Sequence, residues 1–389
     1  MTSLELEQVI VLSRHGIRTP LPNTLDCLTA VTPKNWPQWQ FLPGYLTTRG
    51  GTLESYFGHY LVNYLANLDF TLTSNDVFIY ANSLQRTVAT AQYFNVGAFA
   101  GLDIPVRHRY PIERMDAVFN PIIRDSSSTF KNRVLDDLKR HTGSSQLIDK
   151  LNQNLASTYD LLSDILDYKH SALYQQYRCE FSQLPTQIDI IKDEEPILIG
   201  PLALGTAIAD AFTLQYYCAF AKQDIAWGEI STSLQWQMIT NVKNQYLNLL
   251  FQSQQLAAHL ALPLVEFITM LFTEQKHKFN LLVGHDSNIA SLLSALGFQS
   301  YQLPEQYEKA PIGGKVVFYR YYDKQDQQHY FKAEYIYQTF EQIHLAQPLT
   351  SMTPPKHFTL NFTDLNPNSQ GLYLWQEVSN KLHDFLVNA

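Results

Sequence analysis

Cysteine is scarce in this chain of 389 residues, which contains three: Cys27, Cys179 and Cys218. Three widely spaced cysteines do not suggest a disulfide framework, and no CxxC pair supplies the thiolates of a zinc site. The motifs HExxH and GxSxG are also absent, which argues against a zinc protease and an α/β-hydrolase. We therefore expect three free thiols.

Basic residues are outnumbered by acidic ones. The 28 lysines and arginines face 36 aspartates and glutamates, so the net charge is −8. A nucleic-acid-binding surface needs a basic stripe, and anionic lipid attracts basic segments, so we expect neither nucleic acid nor a membrane as partner. We also expect no membrane-spanning helix, because no apolar run reaches the roughly 20 residues that a bilayer requires.

The amino-terminal segment MTSLELEQVIVLSRHG lacks the basic, apolar and cleavage regions of an export signal. We expect a cytoplasmic protein, or a periplasmic one if a leader has been removed. The sequence indicates no oligomeric state.

Three stretches of the chain combine an apolar strand, a polar turn and an amphipathic helix. Strands are expected at residues 9–12, 77–80 and 281–283, with Ser83 capping the second helix and Ser287 or Asn288 the third. Crossover connections of this kind favour a parallel sheet. The predicted fold class is therefore α/β, with a mostly parallel central sheet and helices on both faces. Near the end, GGKVVFYRYYDKQDQQHYFKAEYIYQT predicts a β-hairpin.

The middle of the chain differs from its two ends. Residues 125–273 show mainly helical periodicity and few strand signals. The chain is also too long for one ordinary core. We predict an α/β core domain formed by residues 1–124 and 274–389, and an inserted α-helical cap domain formed by residues 125–273.

Two arginines and a histidine follow the first strand in the segment RHGIRTP, at Arg14, His15 and Arg18. Guanidinium groups bind phosphate bidentately, and a neutral imidazole is a nucleophile toward phosphorus. The two arginines should lower the pKa of His15 and keep its lone pair available at mildly acidic pH. By chance, the pattern R-H-G-x-R-x-P occurs in a chain of this length about once in ten thousand.

Further polar residues follow the other two strands. Arg86 comes after the second, and His285 and Asp286 come after the third, so we expect all of them on the edge of the sheet where ligands bind in such folds. A third arginine would complete a cage for a phosphate dianion, and a carboxylic acid is the natural proton donor to a leaving alkoxide. The residues thus predict a phosphate site with an acid. A second His-Asp pair, at residues 383–384, is expected on a solvated helix face.

The segment RHGIRTP, together with the later HD pair, resembles the histidine acid phosphatase family of the histidine phosphatase superfamily. Other segments look like its bacterial glucose-1-phosphatase branch, which neighbours the bacterial phytases: TPKNWPQW, LTTRGGTLESYFGHYL, SLQRTVATAQYF, DAFTLQYY, AWGEI, LVGHDSNIASLLSALGF and APIGGKVVFYRYYD. The resemblance covers most of the chain. Members of that branch are usually exported and carry several disulfides, and this chain has too few cysteines for that.

The resemblance implies a role for each residue of the predicted site. His15 would be the nucleophile that forms a phosphohistidine, and Asp286 would protonate the leaving oxygen before water cleaves the phosphoenzyme. The groups that would bind the phosphoryl oxygens are Arg14, Arg18, Arg86 and His285. The resemblance implies no cofactor and no metal, since arginines supply the charge stabilisation that a metal would give.

Residues of the substrate pocket are predicted less specifically. The resemblance implies an acidic gate, for which Glu194 and Glu195 in KDEEP are candidates, and an acidic substrate contact at Asp210. Thr19 is a candidate for contact with the leaving group. The expected activity is hydrolysis of a small-molecule sugar phosphate of the glucose 1-phosphate type at acidic pH. The net negative charge favours this substrate over an inositol polyphosphate, which needs many cations.

Other functions stay open at this point: a phytase, a phosphotransferase or mutase on the same scaffold, a phosphosugar-binding protein without catalysis, and an HD-type metallohydrolase. The presence of a nucleophile and an acid argues against a mere binding protein. The lack of further His and Asp ligands on helices argues against the metallohydrolase.

Overall fold

The computed structural model describes residues 4–125, 127–142 and 149–388. The strands in these ranges are β1 (Leu4–Arg14), β2 (Val77–Ala81), β3 (Val106–Arg107), β4 (Gln187–Asp189), β5 (Ile197–Ile199), β6 (Phe279–Gly284), β7 (Lys315–Asp323), β8 (Gln328–Tyr337), β9 (Lys356–Leu360) and β10 (Tyr373–Leu374). The α-helices are α1 (Pro22–Ala30), α2 (Thr48–Ala66), α3 (Gln85–Ala98), α4 (Ser128–Thr142), α5 (Asp149–Asn154), α6 (Ala156–Leu166), α7 (Ala172–Tyr177), α8 (Pro201–Tyr217), α9 (Ser233–Phe251), α10 (Gln254–Glu274), α11 (Asp286–Ala295), α12 (Phe340–Leu345) and α13 (Trp375–Asn388).

The central sheet has the strand order β10-β8-β7-β1-β6-β2-β3, with β9 also paired to β8. The strands β1, β6, β2 and β3 are parallel to one another, whereas β7 to β10 add antiparallel pairs. The α/β class is confirmed, as is the hairpin, which is formed by β7 and β8. The sheet is mixed rather than mostly parallel, because a hairpin with a short turn must be antiparallel and this one lies directly beside β1.

Residues 9–12 of β1 are apolar without alternation because helices cover both faces of the sheet there. Successive side chains point to opposite faces. Val9 and Val11 pack with Phe57 of α2 and Phe94 of α3, whereas Ile10 faces the other cluster, to which α10, α11 and α13 contribute. Two helical layers therefore hold the strand, and its carboxyl end reaches a position buried on both sides.

The helices that follow β2 and β6 begin at residues other than the predicted caps. The N-cap residues are Leu84 and His285, not Ser83 and Ser287 or Asn288. The hydroxyl of Ser83 instead accepts the Tyr110 N–H, at 3.1 Å. Asn288 stabilises the start of α11 from within the first turn, because its Oδ1 accepts the His285 N–H, at 2.9 Å.

Helix α10 corrects a further expectation. It spans 21 residues with a mean hydropathy of 1.7 over its most apolar stretch, so by length and composition it could cross a membrane. Half of that stretch is buried, and Leu264, Val265 and Ile268 belong to the cluster that covers Ile10 and Leu12 of β1. The expectation that no segment is this long and apolar was wrong, because a helix buried against a sheet can be as apolar as one that spans a bilayer.

Between β3 and β6, the described residues form helices α4 to α10 and the hairpin β4–β5. Leu162 of α6, Phe212 of α8 and Ile239 of α9 share a buried cluster with Ile17, which follows β1, and with Ala290 of α11. These helices therefore pack on the segments that follow the parallel strands. The division at residues 125 and 273 stays a prediction.

The imidazole ring of His259, in α10, is neutral and partly buried. Its Nε2 accepts the backbone N–H of Arg124, at 2.7 Å. Burial and the charge of Arg124 lower the pKa of His259 to about 4, whereas an unfolded histidine titrates near ~6.5. Below that pH the unfolded chain binds a proton that the folded chain does not, so stability is lost as the pH falls toward 4.

His259→Gln keeps an acceptor for the Arg124 N–H but does not titrate. Lowering the pH from 7 to 4.5 should destabilise the native chain by ~1–2 kcal/mol more than this variant, a figure discounted because the ring is only partly buried. Thermal unfolding at the two pH values measures the difference. His383→Gln on the exposed face of α13 is the control, and an identical pH dependence for the native chain and His259→Gln would contradict the assignment.

Candidate active site

The carboxyl ends of three parallel strands bring the predicted residues together. Arg14 is the last residue of β1 and lies opposite Gly284, the last residue of β6. The His15 N–H donates to the Gly284 carbonyl, and the Asn82 N–H, just after β2, donates to the Val283 carbonyl, both at 3.0 Å. His15, Asn82 and His285 therefore leave one edge of the sheet side by side.

His15 presents a lone pair on one defined nitrogen. The ring is buried, and Nδ1 lies 2.9 Å from the Gly16 carbonyl oxygen. Because a carbonyl oxygen only accepts, Nδ1 carries the proton and Nε2 holds the lone pair. Burial, followed by the charges of Arg86 and Arg14, lowers the pKa of His15 well below its usual range. The predicted neutral imidazole is thus present, with burial as the largest cause.

The three arginines keep unused donors beside this ring. Their Nε atoms are buried and, within the described residues, have no hydrogen-bond partner in the protein. A buried donor left without an acceptor costs about 1–3 kcal/mol. These three donors belong to Arg14, Arg18 and Arg86.

Buried side chains of alternating charge form a continuous series next to the arginines, which we call the ion-pair chain. Successive nitrogen–oxygen distances are 3.1, 2.8, 2.8, 3.2 and 2.9 Å. The members, in order, are Arg18, Asp210, Lys243, Glu308, Arg14 and Asp286. Burial alone would raise the pKa of Asp210 and of Glu308, but the adjacent cations outweigh it and lower both. All members are therefore charged.

Asp286 is the member of the ion-pair chain that solvent reaches most easily, since 29% of its side chain is exposed. Its Oδ2 accepts from Arg14 Nη2, and its Oδ1 accepts the Ser287 N–H. Burial raises its pKa, but the charges of Arg14 and Lys243 outweigh burial and lower it, so the carboxylate form dominates without ligand. Its carboxylate is therefore accessible from the cavity that it lines.

A family model, described as the histidine phosphatase superfamily (branch 2), matches residues 5–335. The chain belongs to this superfamily. It is 41% identical to the glucose-1-phosphatase of Providencia rettgeri over 96% of this chain and 90% of that protein. It is 40% identical to the glucose-1-phosphatase of Salmonella typhimurium over 94% of this chain and 89% of that protein.

Solved structures agree with the family. A Hafnia alvei phytase in complex with myo-inositol hexakis sulphate superposes with a TM-score of 0.89 at 28% identity, and the match covers 99% of this chain and 98% of that one. The resemblance inferred from the motifs is therefore confirmed. This histidine phosphatase is an enzyme, a phosphoric monoester hydrolase.

A cavity of about 770 Å³ adjoins the reactive groups of this histidine phosphatase. The charged side chains that line it in the described structure are Arg18, Asp26, Glu195, Asp210, Lys243 and Asp286. Apolar residues form much of the remaining wall, among them Leu173, Tyr177, Leu198, Ile199 and Tyr246. The cavity is large enough for either a sugar phosphate or an inositol phosphate.

The structure shows which of the four predicted pocket residues line the cavity. Glu195 is exposed to solvent like its neighbour but lines the cavity, where partial desolvation and the nearby charge of Asp286 raise its pKa. Glu194 is exposed and is not part of the lining. Asp210 lines the cavity and also holds Arg18. Thr19 is buried and donates its hydroxyl to the Leu42 carbonyl at 2.6 Å, so it is not placed to meet the leaving group.

Three residues of the site were missed by sequence reasoning. Asn82 directly follows the second strand, so the rule that selected His15 and His285 could have found it. Lys243 interrupts the apolar stripe of α9 between Ile239 and Leu247, which is a weak signal. Glu308 lies in a loop with no local pattern, and only its long-range contacts reveal it.

Replacing Lys243 by methionine should disrupt the ion-pair chain while keeping an unbranched side chain that is one atom shorter. The variant leaves the buried carboxylates of Asp210 and Glu308 without their shared ammonium, and we expect a loss of ~3–5 kcal/mol. The deficit should shrink in acid, where these carboxylates become protonated. Urea unfolding at pH 7 and pH 4 measures both effects.

Lys169→Met is the matched control for that experiment. Lys169 forms an exposed ion pair with Glu180, at 3.2 Å, and such pairs contribute at most ~1 kcal/mol. If Lys243→Met were no less stable than Lys169→Met, the ion-pair chain would not have the importance assigned to it.

Proposed function

We propose that this phosphomonoesterase hydrolyses a small sugar phosphate of the glucose 1-phosphate type through a phosphohistidine on His15. The observation that carries the proposal is the lone pair of His15 Nε2 beside three arginines with unused donors. Asp286 lies at the same place and faces the cavity. These are a nucleophile, a cage for phosphoryl oxygens and a proton donor.

Substrate binding would start with the phosphoryl oxygens. They accept hydrogen bonds from Arg14, Arg18 and Arg86 and from His285. Below about pH 6 a phosphate monoester carries one proton. When the phosphoryl oxygens bind Arg14, this arginine attracts the Asp286 carboxylate less strongly. The pKa of Asp286 then rises, and the proton of the substrate can pass to its carboxylate. The reaction is therefore expected to favour acidic pH.

Two displacements at phosphorus would complete the reaction. His15 Nε2 forms a bond to phosphorus while the bond to the leaving oxygen breaks and Asp286 gives that oxygen its proton. Water then attacks phosphorus, Asp286 takes the proton of the water, and the phosphorus–nitrogen bond breaks. His15 is neutral again, Asp286 passes its proton to the product, and inorganic phosphate leaves.

The charge of the cavity supports a small, otherwise uncharged leaving group. Two cations line it, Arg18 and Lys243, and both are already paired with carboxylates. Asp210 and Asp286 are the lining carboxylates that ion pairs neutralise, so Asp26 and Glu195 would supply the negative charge that repels the remaining phosphates of an inositol polyphosphate. The relatives at 40–41% identity are named glucose-1-phosphatases, which supports the same choice.

A phytase activity is the second candidate. The cavity has the volume for an inositol phosphate, and the fold superposes on a phytase bound to an inositol hexakis sulphate.

The cytoplasmic location stays a prediction, with the periplasm as its alternative.

The mechanism can be tested with two leaving groups of different basicity. His15→Ala should abolish phosphate release from both glucose 1-phosphate and 4-nitrophenyl phosphate. Asp286→Asn should lower kcat for glucose 1-phosphate by about 10²–10⁴. It should leave a stoichiometric burst of 4-nitrophenolate, because this anion departs without a proton. EDTA is present throughout, and activity should be unaffected by it.

The second His-Asp pair of the chain supplies the control. Asp384 is exposed on α13, so Asp384→Asn should keep full activity on both substrates. Unchanged turnover by His15→Ala would overturn the phosphohistidine. Equal losses on both substrates without a burst would overturn the role of Asp286 as acid.

Charge reversal at the cavity wall tests the substrate choice. Glu195→Lys should raise the ratio of kcat/KM for phytate to that for glucose 1-phosphate by about fivefold to tenfold. The reason is that one charge about 4 Å from another in water contributes about 1 kcal/mol. Glu194→Lys is the matched control, because this neighbour does not line the cavity. The same change in both variants, or in neither, would contradict an acidic wall that selects the leaving group.

A further inference from the structure

Asn82 has an orientation that its surroundings fix. The residue is fully buried directly after β2. Its Oδ1 accepts two backbone N–H groups, from Ser83 at 2.8 Å and from Asp116 at 2.9 Å. The opposite orientation would place the NH₂ group against two donors. The amide NH₂ of Asn82 must therefore face the other way, toward His285.

This orientation determines where His285 carries its proton. Asn82 Nδ2 lies 2.7 Å from His285 Nε2. A nitrogen that receives a hydrogen bond holds a lone pair, so the ring is neutral and its proton is on Nδ1. The ring also stands edge-on to that of His15, with 5.6 Å between their centres.

We propose that Asn82 is a positioning residue that keeps His285 neutral, with its proton on Nδ1, so that this N–H can donate to a phosphoryl oxygen. The inference rests on the phosphate-binding role of His285 in the proposed function. Asn82 acts through His285 and is not itself assigned a contact with substrate.

The charges around His285 make an uncharged partner necessary. The charged or titratable groups that face it are Arg86, Asp286, Arg14, Arg18 and His15. Burial and the arginines disfavour the imidazolium, whereas Asp286 favours it. An amide accepts no proton from Nε2 and adds no charge to this balance. A carboxylate in its place would attract a proton to Nε2 and reverse the tautomer.

Asn82→Asp tests this directly, because it preserves size and the acceptor for both backbone N–H groups. In acid, the carboxylate introduced at position 82 favours the imidazolium form of His285, whose Nδ1–H can still donate to a phosphoryl oxygen. As the pH rises, the proton on Nδ1 is lost first and a lone pair faces the phosphoryl oxygens. Relative to the native enzyme, kcat/KM should fall at least tenfold more at pH 7 than at pH 4.5.

Asn82→Leu separates positioning from packing, since it keeps the volume but has no donor. We expect a loss of kcat/KM that is similar at every pH. The buried Asn280 of β6 donates to the His277 carbonyl, so Asn280→Asp is the control for placing a carboxylate in the sheet and should not change the pH profile. A parallel, pH-independent loss in both Asn82 variants would mean that Asn82 only packs.

Nitrogen-15 NMR of the histidine rings gives a readout that does not need turnover. In the native chain with inorganic phosphate, His285 should be protonated on Nδ1 and bare on Nε2, and Asn82→Asp should place a proton on Nε2. A proton on Nε2 of the native enzyme would overturn the proposal. If the native enzyme failed to release phosphate, the proposed function would fall, while the NMR result would still decide the tautomer.

Discussion

A buried guanidinium group at the end of β1 sets the requirements for the rest of the site. Arg14 is 2% exposed, and a charge at that depth without partners would cost several kcal/mol. Glu308, Asp286 and the Ala310 carbonyl neutralise and hold it. Glu308 is in turn neutralised by Lys243 of α9. The helices between β3 and β6 are therefore part of the electrostatics of the site as well as a wall of its cavity.

Two neutral histidines lie among these cations, and the charges of the arginines have two effects. The arginines that can bind a phosphate dianion also disfavour protonation of His15 and His285. The backbone carbonyl of Gly16 and the amide of Asn82 then select which ring nitrogen carries the proton. Both rings therefore carry their proton on Nδ1; in the proposed function His15 uses its free Nε2 as nucleophile, whereas His285 uses its Nδ1–H as donor.

In the proposed function, recognition of the phosphoryl group and selection of the leaving group use different parts of the fold. The first depends on residues at the ends of the parallel strands, whose positions follow from the backbone register. The second depends on the cavity wall, to which α1, α8 and the residues near β5 contribute side chains such as Asp26, Glu195 and Ile199. Proteins of this fold can therefore share a reaction while the charges of the wall differ.

The sequence by itself determined the family, the α/β class and the three parallel strands, and it predicted that Arg14, His15, Arg18, Arg86, His285 and Asp286 share one site. These follow from local patterns, since an apolar strand and the polar residues after it are contiguous in the chain. The sequence predicted the hairpin β7–β8 but not its place beside β1, nor the burial of α10, because neighbours in a sheet and the faces of a helix depend on packing.

Only the tertiary structure decided the partners of the charged residues. Asp210, Lys243 and Glu308 are far from Arg14 and Arg18 in sequence, and no pattern of spacing pairs them. The tertiary structure also removed Thr19 from the site, because its hydroxyl is used by the Leu42 carbonyl, and added Asn82. Strength and specificity of electrostatic contacts depend on distance and burial, which the chain acquires only when its separate segments pack together.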